Sequence, residues 1–227
     1  GLGIRLFSPY AAENIPPDAD LVIVGNAVSR ENPEALEAVR RGVPTLSMPQ
    51  AVAEHFIGDR ESIVVAGTHG KTTTTALMAW SLFALGADPS FLAGGVPGNF
   101  PVSYRVGGGR HFVVEGDEYD TAWFDKGPKF LHYRPKVVLL TSIEFDHADI
   151  YRDLAHVKES FRKLLALLPP GGLLAACADY PEVVEVAAEA RCPVAFYQTR
   201  PGSIPADFPG EAWTVSVTGE SGGMTGF

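Results

Sequence analysis

A glycine-rich segment between residues 66 and 75 has the composition of a loop that binds phosphate. The run Gly67-Thr68-His69-Gly70-Lys71-Thr72-Thr73 lies between an apolar, strand-like stretch and a helix-like stretch. Glycines let the backbone turn so that successive N–H groups point at phosphate oxygens, while a lysine neutralises phosphate and a hydroxyl ligates Mg²⁺. The full pattern would have glycine at position 65, where this chain has Val65. We therefore predict a variant phosphate-binding loop; the alternative is an ordinary glycine turn that caps a helix.

Acidic residues follow the apolar stretch 112–114. Glu115 comes directly after it, and Asp117, Glu118 and Asp120 come next. Mg²⁺ prefers oxygen ligands and takes few of them from protein, so a carboxylate at a strand end beside a phosphate loop suits it. We predict Glu115 as a metal ligand, together with the hydroxyl of Thr72. For the three later acidic residues, a solvated turn is as good an interpretation as a role in the site.

A third polar segment, with Asp146 and His147, follows the apolar stretch 137–141. A histidine in a loop is commonly structural or solvated. This one lies just past a predicted buried strand of the same sheet, and imidazole can ligate a metal or act as an orienting donor. His147 is therefore a candidate ligand.

Strand-like and helix-like segments alternate along most of the chain, which is typical of a parallel sheet covered by helices. Ligands bind such sheets at the carboxyl ends of the strands, so the three polar strand ends predict one shared site. We predict strands at 4–7, 21–24, 45–47, 62–66, 90–92, 112–114, 137–141, 173–176 and 194–197, and one arm of a hairpin at 213–217. We predict helices at 34–41, 49–56, 71–85, 153–168 and 182–190.

A candidate hinge at 58–60 divides the chain. The block before it supplies about three strands, whereas a doubly wound domain usually has five or six. The predicted class is α/β, with a partial Rossmann-like domain at 1–58 followed by a parallel-sheet P-loop domain at 59–227.

Composition narrows the class of protein. The 227 residues are 46% hydrophobic and 20% charged, which excludes a disordered chain. A net charge of −9 disfavours a general binder of nucleic acid or of anionic membranes, because its field repels phosphate. No apolar run approaches the roughly 18 residues of a membrane span, and the first residues lack a secretory pattern. We expect a cytoplasmic protein whose two cysteines, Cys177 and Cys192, are unpaired.

These segments together resemble the Mur ligase family, the ATP-dependent amide-forming enzymes of peptidoglycan synthesis. The resemblance implies that ATP phosphorylates the lactyl carboxylate of UDP-N-acetylmuramate and that an amine then attacks the acyl phosphate. ATP and Mg²⁺ are the implied cofactors. The resemblance is carried by the phosphate loop and by the segments 25–33, 94–100, 115–126 and 144–151.

The same resemblance implies roles for individual residues. Lys71 would steady the transferring phosphate, and His147 would ligate a second Mg²⁺. Thr72 and Glu115 would hold the first Mg²⁺. Further candidates for substrate contacts are Asn26, Asn99 and Asp146.

The segments are most similar to the branch that joins the murein tripeptide L-Ala-γ-D-Glu-meso-diaminopimelate to UDP-N-acetylmuramate in peptidoglycan recycling. Two alternatives stay open: the branch that adds L-alanine in de novo synthesis, and a nucleotide-binding module without ligase activity. A folate-type polyglutamate ligase is a further relative, which the muramate-type segments argue against.

The family has three domains, and the residues that select the amine belong to the third. By the resemblance, residues 1–58 correspond to the rear of the first, UDP-sugar-binding domain, and residues 59–227 correspond to most of the second, the P-loop ATPase domain. We therefore expect these 227 residues alone not to form the amide bond.

Overall fold

The structure is a computed structural model that describes residues 3–146, 150–216, 219–221 and 224–226. Its strands are β1 (Val22–Val24), β2 (Thr45–Ser47), β3 (Glu61–Ala66), β4 (Ser90–Leu92), β5 (Tyr104–Arg105), β6 (His111–Gly116), β7 (Asp120–Ala122), β8 (Asp125–Pro128), β9 (Pro135–Leu140), β10 (Leu173–Cys177), β11 (Val194–Gln198), β12 (Glu211–Thr214), β13 (Gly219–Ser221) and β14 (Met224–Gly226). Its α-helices are α1 (Pro33–Arg41), α2 (Met48–Val52), α3 (Lys71–Ala84), α4 (Leu154–Ala166) and α5 (Pro181–Ala187).

An eight-stranded sheet positions the predicted site. Its strand order is β12-β11-β10-β9-β3-β6-β4-β5, and every neighbouring pair is parallel except β4 and β5. The strand β3, which leads into the phosphate loop, lies between β6 and β9. The carboxyl ends of these three strands therefore lie side by side, as the sequence predicted.

The side chains of β3 alternate between two cores, because successive residues of a strand point to opposite faces of the sheet. Val64 and Ala66 pack in a large core with residues of α4 and α5, among them Phe161. Ile63 and Val65 pack in a smaller core on the face that α3 covers. Burial on both faces explains why the central strands are continuous apolar runs.

Helices α1, α2 and α4 each begin at a residue whose side chain accepts hydrogen bonds from free N–H groups of the first turn. The Asn32 side chain accepts hydrogen bonds from the first turn of α1, and Asp153 caps α4 by accepting from His156 N at 2.8 Å. Helix α2 starts with a capping box formed by Ser47 and Gln50.

A smaller unit precedes the sheet, with the parallel pair β1 and β2 and helices α1 and α2. Val52 and Ile57 of this unit pack in the large core, and side chains of both units form hydrogen bonds across the contact. Ser47 Oγ donates to Asp125 Oδ2 at 3.0 Å, and Arg134 donates to the carbonyl oxygens of Ala53 at 2.7 Å and Gly58 at 3.1 Å.

Three predicted elements need correction. The predicted strand at 4–7 is wrong: the segment is not a strand, and the side chains of Ile4, Leu6 and Phe7 are mostly exposed. The apolar pattern finds no partner strand within the residues that the structure describes. The predicted hairpin arm at 213–217 is also wrong over residues 213–216, because Trp213 and Thr214 belong to β12, which joins the main sheet parallel to β11. Val217 lies outside the described residues. The predicted helix at 49–56 is α-helical only to Val52 and continues as a π-helical turn, Ala53–Ile57.

Strands β5, β7, β8, β13 and β14 are additions to the prediction, and all are short. In β7 and β8, aspartate, lysine and glycine give no apolar alternation. In the described ranges, no helix is long and apolar enough to cross a membrane. Cys177 and Cys192 are both free thiols.

Candidate nucleotide-binding site

The phosphate loop connects the end of β3 to the start of α3. Gly67 has φ +133°, and a Cβ atom there would lie 2.2 Å from Thr141 Oγ1 and 2.8 Å from Ser142 N. Gly70, at the start of α3, has φ +80°. Both glycines are therefore required by the backbone, and Gly67 also by close packing.

Hydrogen bonds fix this loop to the residues that follow β9. Thr68 N donates to Ser142 O at 3.0 Å, and His69 N donates to Ser142 Oγ at 2.9 Å. Glu144 N donates to Thr68 Oγ1 at 2.9 Å, and Thr141 Oγ1 donates to His69 O at 2.6 Å. The His69 imidazole is largely exposed, with Nε2 3.3 Å from the Glu144 carboxylate. The loop is thus bound firmly to a neighbouring strand end.

Lys71 begins α3, and its side chain folds back over the loop. Its ammonium donates to Gly67 O at 2.7 Å and to Thr68 O at 3.1 Å. It also lies 2.9 Å from Glu118 Oε2 and 3.1 Å from Oε1. The two side chains are only 13% and 3% exposed, respectively, so this is a nearly buried ion pair.

Glu118 is the site residue that the sequence left undecided. Reading it as a solvated turn residue is wrong, because its side chain is buried against Lys71. That reading fits Asp120, whose partly exposed carboxylate pairs with the exposed Lys126 at 2.8 Å. Asp117 pairs with Lys129 at 2.6 Å. The available signal for Glu118 was its position only three residues after Glu115 at the same strand end.

Glu115 and Thr72 meet as predicted. Thr72 Oγ1 donates to Glu115 Oε1 at 2.9 Å, and Gly94 N donates to Glu115 Oε2 at 2.7 Å. A Cβ at Gly94 would lie 2.9 Å from both carboxylate oxygens, so glycine permits this approach. A carboxylate and a hydroxyl beside a phosphate loop are hard oxygen donors, which suit Mg²⁺.

The third predicted strand end is only partly described. His147 lies outside the described residues, so its role as a metal ligand stays a prediction. Asp146 is exposed. Tyr151, a little further along, is buried, and its hydroxyl donates to Glu118 O at 3.0 Å. Burial raises the pKa of Tyr151, which keeps this hydroxyl protonated and able to donate.

The two predicted asparagines occupy different places. Asn99 borders a cavity of about 330 Å³ beside the phosphate loop, whose wall also includes Thr72, Thr73 and Trp80. Asn26 lies exposed in the turn after β1, in the smaller unit. The structure thus brings Asn99, but not Asn26, to a cavity shared with loop residues.

A larger groove of about 710 Å³ adjoins the loop on the β9 side. Glu144, which binds the loop, forms part of its wall, and Asp179 and Arg200 form another part. Asp179 follows β10, and its carboxylate accepts hydrogen bonds from Thr199 N at 2.9 Å and Arg200 N at 3.1 Å. Burial alone would raise the pKa of Asp179, but the hydrogen bonds, mainly from Thr199, outweigh it and lower that pKa.

The described residues contain no cluster of three or more His, Cys, Asp or Glu side chains that could hold a metal ion. Metal binding at Glu115 and Thr72 would therefore depend on nucleotide phosphates and water for its remaining ligands. That is a usual coordination for Mg²⁺ at nucleotide sites.

Comparison with known proteins identifies the family. Residues 65–222 match the model of the Mur ligase middle domain, and residues 1–60 match the model described as Mur ligase family, catalytic domain. The chain belongs to the Mur ligase family. The family resemblance and the α/β class predicted from sequence are both confirmed.

Two kinds of Mur ligase are similar to the chain in sequence. The UDP-N-acetylmuramate–L-alanyl-gamma-D-glutamyl-meso-2,6-diaminoheptandioate ligase of Escherichia coli strain K12 is 45% identical over 170 residues, which cover 75% of this chain and 37% of that protein. The UDP-N-acetylmuramate–L-alanine ligase of Rubrobacter xylanophilus is 37% identical over 202 residues, covering 89% and 43%. The chain thus spans less than half the length of the curated relatives it matches.

A solved Mur ligase structure shares the fold. The UDP-N-acetylmuramate:L-alanyl-gamma-D-glutamyl-meso-diaminopimelate ligase from Neisseria meningitides superposes with a TM-score of 0.79 and 36% sequence identity. The match covers 84% of this chain and 62% of that one.

Proposed function

We propose that this Mur ligase chain is the nucleotide-binding part of an ATP-dependent ligase that joins L-Ala-γ-D-Glu-meso-diaminopimelate to UDP-N-acetylmuramate. The observation that carries the proposal is the contact between Thr72, at the start of α3, and Glu115, at the end of β6. Thr72 Oγ1 lies 2.9 Å from Glu115 Oε1. It sets two oxygen donors beside a lysine and a phosphate loop.

The proposed reaction has two steps. A carboxylate oxygen of UDP-N-acetylmuramate attacks the γ-phosphorus of ATP, so that ADP leaves and an acyl phosphate forms. The amine of the tripeptide then attacks the acyl carbon, loses a proton and expels phosphate. Phosphoryl transfer of this kind needs mainly positioning and charge neutralisation.

The residues of the site supply those two requirements. Gly67 and Gly70 shape the backbone for phosphate, and Lys71 contributes a positive charge. Glu115 and Thr72 would hold Mg²⁺, which neutralises phosphate charge when bound. We infer that His147 ligates a second metal and that Asp146 contacts substrate.

We base the proposed substrate positions on the two cavities next to the loop. We assign the sugar substrate to the cavity that borders Asn99, because this cavity lies next to Thr72 and therefore to the proposed metal. We assign the nucleoside of ATP to the groove beside Glu144, which opens on the opposite side of the loop. Asn26, in the smaller unit, is a further candidate for a contact to the sugar nucleotide.

The division into 1–58, the rear of a UDP-sugar domain, and 59–227, an ATP-binding domain, is part of the same proposal. So is a cytoplasmic location, since the phosphoryl donor is ATP. The tripeptide is favoured over L-alanine as acceptor because the tripeptide ligase of E. coli is 45% identical, against 37% for the L-alanine ligase of R. xylanophilus.

The test is an assay of ADP release and amide product by the full-length protein with ATP, Mg²⁺ and UDP-N-acetylmuramate. The tripeptide is expected to support faster turnover than L-alanine at equal concentration. Preference for L-alanine would assign the protein to the de novo reaction. Nucleotide binding without product, unchanged by Glu115→Ala, would instead indicate a binding module.

A further inference from the structure

The nearly buried ion pair between Lys71 and Glu118 bears on how the site accepts its nucleotide, an inference that rests on the proposed function. A lysine ammonium has three N–H donors. Here it has acceptors for all three: Gly67 O at 2.7 Å, Thr68 O at 3.1 Å and the Glu118 carboxylate at 2.9 Å. A phosphate oxygen can therefore bind Lys71 only by replacing one of them.

The two carbonyl acceptors are held in place by the loop. Gly67 packs so closely against Thr141 and Ser142 that even a Cβ atom would not fit. Thr68 is fixed through its N–H to Ser142 O and through its hydroxyl, which accepts from Glu144 N. These anchors keep both carbonyl oxygens beside the ammonium.

The Glu118 carboxylate is the acceptor that a phosphate can replace. It carries the same sign of charge as phosphate, so the two repel each other when both lie against one ammonium. While the nucleotide is absent, the Glu118 carboxylate balances the charge of the Lys71 ammonium, because a nearly buried ammonium needs a counter-charge. The hydroxyl of Tyr151, which donates to Glu118 O at 3.0 Å, helps to hold this segment there.

We propose that Glu118 is a resting counter-ion of Lys71, which occupies the anion position of the phosphate loop until the nucleotide phosphate displaces it. Glu118 thus competes with the nucleotide. Part of the attraction between Lys71 and phosphate is used to break the existing ion pair.

Affinity for the nucleotide tests this competition. Glu118→Gln keeps the shape of the side chain and removes its charge, so Mg²⁺–ADP should bind roughly three- to tenfold more tightly, as measured by isothermal titration calorimetry. The matched control is Asp117→Asn, which removes the same charge one residue away, where the partner is Lys129 rather than Lys71. It should leave the affinity within about twofold of the unmodified protein.

Binding of Mg²⁺–ADP by Glu118→Gln that is unchanged or weaker would overturn the proposal, and so would equal tightening in both variants. A crystal structure of the unmodified protein with Mg²⁺–ADP gives a second test that needs no variant. Lys71 Nζ should then contact a phosphate oxygen and lie beyond hydrogen-bond distance of Glu118. If Nζ still donates to Glu118 in that complex, the competition does not exist.

The outcomes separate this inference from the proposed function. If the unmodified protein binds no nucleotide, both fail. If it binds nucleotide and forms the amide, while Glu118→Gln binds no more tightly, only the inference about Glu118 fails.

Discussion

Glu115 and Asp179 hold corresponding positions in the sheet: each is a carboxylate at or just past the carboxyl end of a parallel strand. Their surroundings differ. Glu115 is half-buried, and its carboxylate accepts hydrogen bonds from the Thr72 hydroxyl and from the backbone N–H of Gly94. Asp179 is buried and accepts N–H groups of the turn after β11, which its carboxylate organises.

The difference shows that a polar strand end does not by itself indicate a functional residue. The Asp179 carboxylate is occupied with bonds that shape its own turn. The Glu115 carboxylate faces a lysine-containing loop, where we propose that it holds Mg²⁺ together with the Thr72 hydroxyl. We therefore expect substitutions at the two positions to affect different properties, catalysis for one and stability for the other.

The largest loss of activity is expected at Lys71, the lysine of the phosphate loop that we propose to neutralise phosphate charge. Lys71→Ala should lower kcat for ADP release by about 10²- to 10³-fold, because it removes the positive charge of the loop. Lys129→Ala is the matched control, since Lys129 pairs with Asp117. Similar losses in both variants would mean that charge in general, rather than the loop lysine, supports the reaction.

A smaller loss of activity is expected at Glu115. Glu115→Gln should reduce kcat by roughly a hundredfold, because the amide is a poor ligand for Mg²⁺. The midpoint of thermal unfolding should change little, since the amide oxygen can still accept from Gly94 N while the amide NH2 group donates to the Thr72 hydroxyl. Near-normal turnover in this variant would remove Glu115 from the catalytic site.

At Asp179 we expect a change in stability. Asp179→Ala should lower the free energy of unfolding by about 1–3 kcal/mol, because it leaves the N–H groups of Thr199 and Arg200 without their acceptor. Urea unfolding measures this directly. At saturating ATP, kcat for ADP release by the folded variant should stay within about twofold of the unmodified protein, since the Asp179 carboxylate is far from the proposed metal and contributes structure rather than chemistry.

The smallest expected effect is the pH dependence of the stability that Asp179 contributes. A carboxyl whose pKa is lowered by folding contributes stability above its ordinary pKa of 3.8, and the contribution is lost as pH falls through the folded value. The difference in unfolding free energy between the unmodified protein and Asp179→Asn should thus be constant near neutral pH and shrink below pH 3.8. A difference that grows on acidification would contradict the assigned cause.

Much of this comparison could be predicted from the sequence. The contact between Thr72 and Glu115 follows from two local patterns, the glycine-rich loop and the carboxylate after an apolar strand. It also follows from one topological rule, that ligands bind at the carboxyl ends of parallel strands. The burial of Glu118 could not be predicted, because it depends on contacts with Lys71 and Tyr151, which are distant from it in the sequence. The predicted strand at 4–7 failed for the related reason that an apolar stretch needs a partner strand, which local pattern does not reveal.

The most direct test of the central claim is a side-by-side Mg²⁺ titration of turnover in the unmodified protein and in the Glu115→Gln and Asp179→Asn variants. We predict that Glu115→Gln needs at least about tenfold more Mg²⁺ for half-maximal rate, as expected when a metal ligand is lost. Asp179→Asn should follow the unmodified protein. Equal Mg²⁺ requirements in all three proteins, or a shift only in Asp179→Asn, would contradict the assignment of Glu115 as the carboxylate that serves the metal.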